Sequence, residues 1–390
     1  MNAGIGIRTF RTPSAIEEVR EVWKSWQYHP NSDVDFYLTV NRLRPQILRP
    51  HVMVLYRDNH PDAMLAGRIV NERIAFKAGY KTIFGVNARV LSIAYGGLLG
   101  NLSSENSQAM LKEVTCSLRR GEAEAVRFKD IPMNSDFFRT VAQAGGRLRD
   151  RSITPNEHWR LNLPGDYAEF LKSRSSKIRQ DIRRYARRFR EAYGNDIEIR
   201  CYRHRTELDR MCVDMETISA KTYHRGLGVG FADSAETRGL FAMASDREWL
   251  RAYVLYVRGT PCAFWEGLMY RQSFFPTNTA YDPAFEEHRP GAFLLMHIIE
   301  QLCGERVSQI DFGFGDANYK RWYFNQNWQE ASLCIYAPSM KGLALIMLKT
   351  PMALAEHTVK KGLEKVQLLQ RVKTLWRRHM CVRQQGAPAG

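Results

Sequence analysis

Paired cysteines, long apolar runs and the familiar catalytic loops are all missing from this sequence, and each lack removes a class of function. The seven cysteines (Cys116, Cys201, Cys212, Cys262, Cys303, Cys334 and Cys381) are odd in number and never form a CxxC pair. That argues against a disulfide framework and against a zinc site. Nowhere do about 18 apolar residues run together, so nothing is expected to span a membrane. No basic-then-apolar leader opens Met1–Phe10, where Gly4 and Gly6 intervene. The sequence has no GxxxxGK(S/T) loop, no GxSxG, no HExxH, and no GxGxxG between a strand and a helix. Gly226-Leu-Gly-Val-Gly230 is glycine-rich but follows a helix and reads as a flexible connection. These lacks point to a reduced, cytoplasmic protein.

At 390 residues the chain exceeds what one hydrophobic core usually serves, so two domains are expected. An apolar fraction of 44% with 11% aromatics is enough to fill both, which sets disorder aside except at the ends. The net charge of +16 suits nucleic acid, an anionic membrane face or phosphorylated small ligands. Much of it lies in Lys172–Arg190 and in the tail after Lys341.

Periodicity and turn chemistry predict a mixed α and β chain. Thr12 opens a helix over Pro13–Trp26. Val52–Tyr56 and Ala63–Val70 read as a strand pair, Glu105–Arg120 as a helix, and Trp159–Leu163 as a strand. One long helix is expected from Asp166 to about Tyr193, ended by Gly194. Ala252–Val257, Cys262–Tyr270 and Ser273–Tyr281 are three strands, and Arg258-Gly-Thr-Pro261 is the plainest hairpin signal in the chain. Gly291–Cys303 reads as a helix, Gln309–Phe312 as a strand and Ser332–Tyr336 as the last strand. The halves share an order of elements without a residue-level repeat, and the boundary is expected around Arg149–Glu157.

Two segments can carry chemistry. Glu286-Glu-His-Arg-Pro-Gly-Ala292 leads from a strand end into a helix, where free N–H groups and the helix dipole favour an anion. Arg289 adds a cation there, and Pro290 suits the first helical turn. Gln309–Lys320 is a strand ending in a glycine-loosened turn with Asp316, Tyr319 and Lys320. It places a carboxylate, a phenol and an ammonium where open α/β sheets bind ligands.

Residues from about Tyr167 to Trp328 resemble the acyltransferase domain of the GNAT superfamily, of the CelD/BcsL type named among polysaccharide-related acetyltransferases. The resemblance rests on the basic helix Phe170–Arg184, on Ala280-Tyr-Asp-Pro-Ala-Phe285 with Pro290-Gly291, and on Asp311-Phe-Gly-Phe-Gly-Asp316 with Tyr319-Lys320. The whole length is also similar in layout to the Fem aminoacyltransferases, in which two GNAT-like folds pack together. The resemblance implies an α/β (α+β) chain of two GNAT-like domains, each a mixed, mostly antiparallel central sheet flanked by helices. The division is a degenerate domain over 1–157, the acyltransferase domain over 158–338 and a basic helical tail over 339–390. The implied reaction takes acyl-CoA as co-substrate, without a metal. The acyl group passes by direct attack to an amine or hydroxyl of a sugar, polysaccharide precursor or related metabolite. One departure stands out: the family's pyrophosphate loop reads Gln/Arg-x-x-Gly-x-Gly/Ala, and set on Gly291 its first place is His288 and its last is Phe293.

Such chemistry needs a base, oxyanion donors and an acid for the leaving thiolate. Asp316, Asp282 and Glu266 are the available carboxylates, and no histidine is well placed in the sequence. A carboxylate buried at the strand ends would have its pKa raised toward neutrality. Tyr319 is the candidate thiolate acid, and His288, Arg289, Gly291, Ala292 and Lys320 are the candidate donor-binding residues. Plainer roles stand beside these: Asp316 as a helix cap, Asp282 as a turn residue, Tyr319 and Lys320 as surface. Lys172–Arg190 is either a docked helix with a solvated face or a seat for a phosphate-bearing acceptor or acyl carrier protein. The tail either packs on the protein or rests on an anionic membrane. A Fem-like enzyme using aminoacyl-tRNA and a non-catalytic binding module remain alternatives.

Overall fold

A computed structural model of the chain describes residues 4–78, 81–144, 146–148, 150, 153–222, 225, 230–315 and 318–349. Contacts divide it at Glu157. The first unit runs up to that residue and resumes at Trp328, and the second is His158–Asn327.

The first unit contains β1 (Ile5–Phe10), α1 (Pro13–Ile16), α2 (Arg20–Trp26), α3 (Val34–Leu43), β2 (Ile47–Arg57), β3 (His60–Ala78), β4 (Lys81–Gly100), α4 (Ser104–Arg119), β5 (Ala125–Pro132) and α5 (Asp136–Gln143). Next come β6 (Pro155–Asn162), α6 (Tyr167–Lys172), α7 (Ser176–Tyr193), β7 (Ile197–Tyr202), α8 (Leu208–Ser219), α9 (Ala235–Asp246), β8 (Leu250–Val257), β9 (Thr260–Tyr270), β10 (Ser273–Tyr281), α10 (Pro290–Gly304), β11 (Gln309–Phe314), α11 (Asn318–Tyr323) and β12 (Gln326–Tyr336).

The strands of the first unit are ordered β1-β2-β3-β4-β5-β12, and those of the second β6-β11-β10-β9-β8-β7. Within each unit the strands pair antiparallel except for one parallel pair, β4 with β5 and β10 with β11, joined by a helix as parallel strands require. Helices cover both faces. In the first unit α4 and α5 bury Met110, Val114 and Phe137 against one face, and α1–α3 bury Ile16, Trp23 and Tyr37 against the other. In the second, α6, α7 and α10 supply Phe170, Phe189 and Ile298 to one core, and α8 and α9 supply Met211, Met215 and Phe241 to the opposite one.

Three expectations are corrected. The long helix from Asp166 breaks in two, because Ser175 caps a new start by accepting from the Ile178 amide. Arg174 is also tied to the Tyr323 and Phe324 carbonyls. The last strand, expected in the second domain, pairs with β5 of the first through Leu333↔Phe128 and Tyr336↔Ala125. Finally, the halves do share a residue-level repeat. Val54-Leu55-Tyr56, Pro61, Ala63 and Gly67 recur two hundred positions on as Val254-Leu255-Tyr256, Pro261, Ala263 and Gly267. Both hairpins turn on two residues of positive φ, Asp58-Asn59 and Arg258-Gly259, and both slip register at the same place, after Leu55↔Ala63 and Leu255↔Ala263.

The described part of the tail, 340–349, is helical, and Leu345 is buried with Phe76 and Tyr336. The rest of the tail, Asp316 and most of Gly226–Gly230 lie outside the described residues. No described helix is long and apolar enough to cross a membrane.

Candidate functional site

The site begins where two strands part. β10 and β11 pair only through Ser273↔Gln309 and Phe274↔Ile310, after which they no longer pair with each other. On its other side β10 slips against β9 between Pro276 and Asn278, so Thr277 is an extra residue outside the ladder. Gly267 faces this bulge. A Cβ there would stand 2.3 Å from the Phe275 carbonyl oxygen and 2.7 Å from Pro276 Cα, so only glycine lets the strands approach.

Beside it, Glu266 pairs with Asn278 and is 2% exposed. The Asn278 amide donates to its Oε2 at 2.9 Å. A buried carboxylate with only a neutral partner favours the protonated form, and burial raises its pKa to about 7. Glu266 therefore meets the requirement for a base at neutral pH. Its flanking residues Phe264 and Leu268 belong to the α8–α9 core.

The opposite face of the wedge is aromatic. Trp265 and Phe312 approach with centroids 6.3 Å apart, and Tyr319 stands edge-on to Trp265 at 5.3 Å. Burial raises the Tyr319 phenol above its ordinary pKa, which keeps it protonated. The Trp265 indole N–H is buried without a hydrogen-bond partner. Cys262, the thiol nearest on β9, is pushed up to about 12 by burial and by Asp282, and stays a poor nucleophile.

The other expected residues separate. Asp282 forms an ion pair with Lys221 at 2.6 Å and caps the turn Pro283–His288 through the Ala284 amide. It lies four strand residues beyond Asn278, about 13 Å along the chain, too far to share a reacting atom with Glu266. The turn role is the one it fills. Lys320 is 6% exposed and donates to the carbonyls of Phe312 at 2.8 Å and Phe314 at 2.7 Å. It braces the end of β11 rather than offering a charge to a donor phosphate, which corrects that expectation.

At the start of α10, Arg289 takes a left-handed conformation (φ 53°). The Ala292 and Phe293 amides turn back to its carbonyl, which leaves Gly291 as the remaining donor of this turn. The Arg289 guanidinium lies 4.8 Å over the Tyr185 ring. His288 pairs with Glu287 at 3.0 Å and packs edge-on to Tyr193. Phe293, the departure from the family loop, stacks on Phe189 at 4.5 Å and so belongs to the core. Along α7 and α10 runs a groove of about 1030 Å³ lined by Arg183, Arg187, Arg190, Phe293, Met296 and His297.

One group escaped sequence reasoning. His158 Nε2 lies 2.6 Å from Asp311 Oδ1, both are nearly inaccessible, and Arg160 holds the other carboxylate oxygen at 3.1 Å. These partners, with the Gly313 amide, hold the Asp311 carboxyl below its usual pKa. They meet only because β6 pairs with β11. The alternation of polar His158 and Arg160 with apolar Trp159 and Leu161 was the available signal.

Residues 176–321 match the acetyltransferase (GNAT) domain family. The second unit thus carries an acetyltransferase domain, and the protein is an acyltransferase. Its fold is similar to that of FemX, with 9% identity over 80% of this chain and 92% of that one, at a TM-score of 0.55. It is also similar to a tandem GNAT protein from the clavulanic acid biosynthesis pathway (9% identity, 86% and 99% covered, TM-score 0.52). A protein of unknown function from Bacteroides thetaiotaomicron is comparable (12% identity, 82% and 97% covered, TM-score 0.50). At such identities the likeness is one of fold. No curated protein matches the sequence.

Proposed function

We propose that the second unit transfers an acyl group from a CoA-type thioester, inserted between β10 and β11, to an amine or hydroxyl on the Glu266 side of the sheet. The observation that carries this reading is the buried Glu266, with its pKa near 7, beside a bulge at the open wedge. The acceptor nitrogen or oxygen attacks the thioester carbonyl and Glu266 takes its proton. The Thr277 amide, outside the ladder, receives the oxyanion. The C–S bond then breaks and the thiolate takes a proton, for which Tyr319 is the candidate donor. The Gly291 amide and Arg289 are the groups we assign to the donor phosphates, with the α7 arginines as further cations.

The three segments similar to CelD/BcsL-type enzymes support a sugar or polysaccharide precursor as acceptor. The charge of α7 suits an acyl carrier protein as an alternative donor. It also supports a second reading, a Fem-like transfer from aminoacyl-tRNA, which requires tRNA binding with a steep salt dependence. The tail is a candidate for peripheral contact with the inner membrane face of a cytoplasmic enzyme. Thermal melting with a series of acyl-CoAs tests the first reading, since a ligand of the folded state raises Tm. A rise that Arg289→Glu abolishes, together with thiol release on adding sugar acceptors, is expected. No rise with any acyl donor contradicts it.

A further inference from the structure

The helix over 340–349 is apolar on the side that faces water. Positions 340, 343, 344, 347 and 348 follow the spacing of a single helical face, and Met340, Leu343, Ala344, Met347 and Leu348 there are all exposed. Met340 is 87% exposed and Met347 70%. The opposite side is apolar as well. Leu345 is buried, Ile346 packs against the same core, and a Cβ on Gly342 would stand 2.3 Å from the Ala337 carbonyl oxygen. A helix that is apolar all round belongs inside a protein or against a membrane.

The element under this helix is also unusual. β3 leaves β2 after Val70, and β4 meets β5 only from Val90 onward. Residues 71–89 therefore form a two-stranded ribbon, paired from Asn71↔Arg89 to Ala78↔Lys81. It runs about 26 Å past the strands that flank it. Its inward residues Ile74, Phe76 and Val86 share one core with Leu345 and Ile346. Ile83, 60% exposed, and Phe84 lie on the same ribbon. Among the described residues, helix and ribbon hold six of the eleven exposed large apolar side chains.

The charges around this surface are mostly of one sign. The ribbon carries Arg73, Lys77, Lys81 and Arg89 against Glu72, and Glu72 is bound to Arg127. The carboxylates that reach the lysines of the helix, Glu124 and Asp150, are themselves nearly buried. Residues 350–390, outside the described residues, hold eight Lys or Arg against two acids. That segment and a second copy of this face would therefore each bring like charges together. An anionic lipid surface takes up both the apolar side chains and the cations.

We infer that the helix 340–349 and the β3–β4 ribbon form a membrane-docking surface of the first unit. Met340, Met347 and Ile83 enter the boundary between headgroups and acyl chains of an anionic bilayer, and the surrounding cations meet its phosphates. The inference rests on the membrane contact suggested for the tail, which it assigns to a built surface, and it is independent of acyl transfer.

The test mixes the full chain with vesicles of phosphatidylcholine alone, or of phosphatidylcholine with an equal part of phosphatidylglycerol, and reads binding by flotation. Anionic vesicles are expected to bind at least about tenfold more tightly than neutral ones, and added salt to weaken them. Met340→Gln combined with Met347→Gln, and Ile83→Gln separately, should each weaken binding at least about fivefold. Because these side chains are exposed, Tm and the acyl-CoA melting shift should stay as in the wild type. The inference is overturned if anionic vesicles are not bound, if neutral vesicles bind as tightly, or if the variants bind as the wild type does. In the last case the cations of 350–390 suffice, and the tail's contact survives without this surface. It is equally overturned if the double variant lowers Tm, the mark of a face covered by the chain itself. Conversion of a dimer to a monomer by that variant, seen in sedimentation, overturns it as well, since the face then joins two copies.

Discussion

Glu266 and Asn278 face each other across β9 and β10, joined by one amide-to-carboxylate bond of 2.9 Å, one residue beyond the Thr277 bulge. Among the described residues this neutral bond is all that offsets the burial of the carboxylate, and it leaves the group's folded-state pKa near 7 against an ordinary 4.5.

A raised carboxylate pKa means that the folded state binds its proton more tightly than the unfolded chain does. Its contribution to stability is full below about pH 4.5 and is lost as the pH rises through 7. Glu266→Gln should therefore be more stable than the wild type at pH 8, by at most about 3 kcal/mol, and close to it at pH 5. Denaturant unfolding at the two pH values checks this.

Gly267→Ala pushes a methyl group into the Phe275 carbonyl and the Pro276 backbone, which belong to the bulge itself. A loss on the order of 2–3 kcal/mol is expected, with activity falling beyond what unfolding explains. Gly291→Ala meets nothing nearer than Tyr281 Cδ1 at 3.8 Å and should change Tm little. The pair separates steric need at the wedge from sequence resemblance at the helix start.

Lys320→Met removes the ammonium that holds the Phe312 and Phe314 carbonyls. Its Tm should drop clearly, while KM for the acyl donor stays within about twofold in the folded fraction. A large rise in KM without loss of Tm would return Lys320 to the donor site.

In the first unit Glu122 accepts from Arg11 and Arg49 and lies 3.6 Å from the buried His51. Arg11 and Arg49 hold its carboxyl near 2 despite burial, and burial holds the His51 imidazole near 4. Both are depressed, so both contributions are lost on acidification: that of His51 between about pH 6.5 and 4, that of Glu122 between about 4.5 and 2. Glu122→Gln should lower stability at pH 7 by on the order of 2 kcal/mol and flatten the acid limb of the Tm–pH curve below 4.5.

What local chemistry writes was readable. Arg258-Gly259 gave its hairpin, Thr12 its helix start, and Glu266 was singled out as a charge on a central strand. What depends on pairing between distant strands was not. His158 meets Asp311 across 153 residues through the β6–β11 register, and β12 pairs with β5, far back in the chain. α3 was overlooked although Asp33 caps it through the Asp35 and Phe36 amides, because its short apolar stripe lies between turn residues. The hairpin repeat escaped because few residues are shared, and it is the common register slip that makes them count.

The central claim is that Glu266 is the base of acyl transfer, and the pH dependence of kcat/KM tests it most directly. With an acyl-CoA and an active acceptor, the wild type should rise with unit slope to a plateau above about pH 7. Glu266→Gln should lose that limb and fall at least about 100-fold while keeping its acyl-CoA melting shift. A Glu266→Gln enzyme with wild-type rate and an unchanged profile would contradict the assignment.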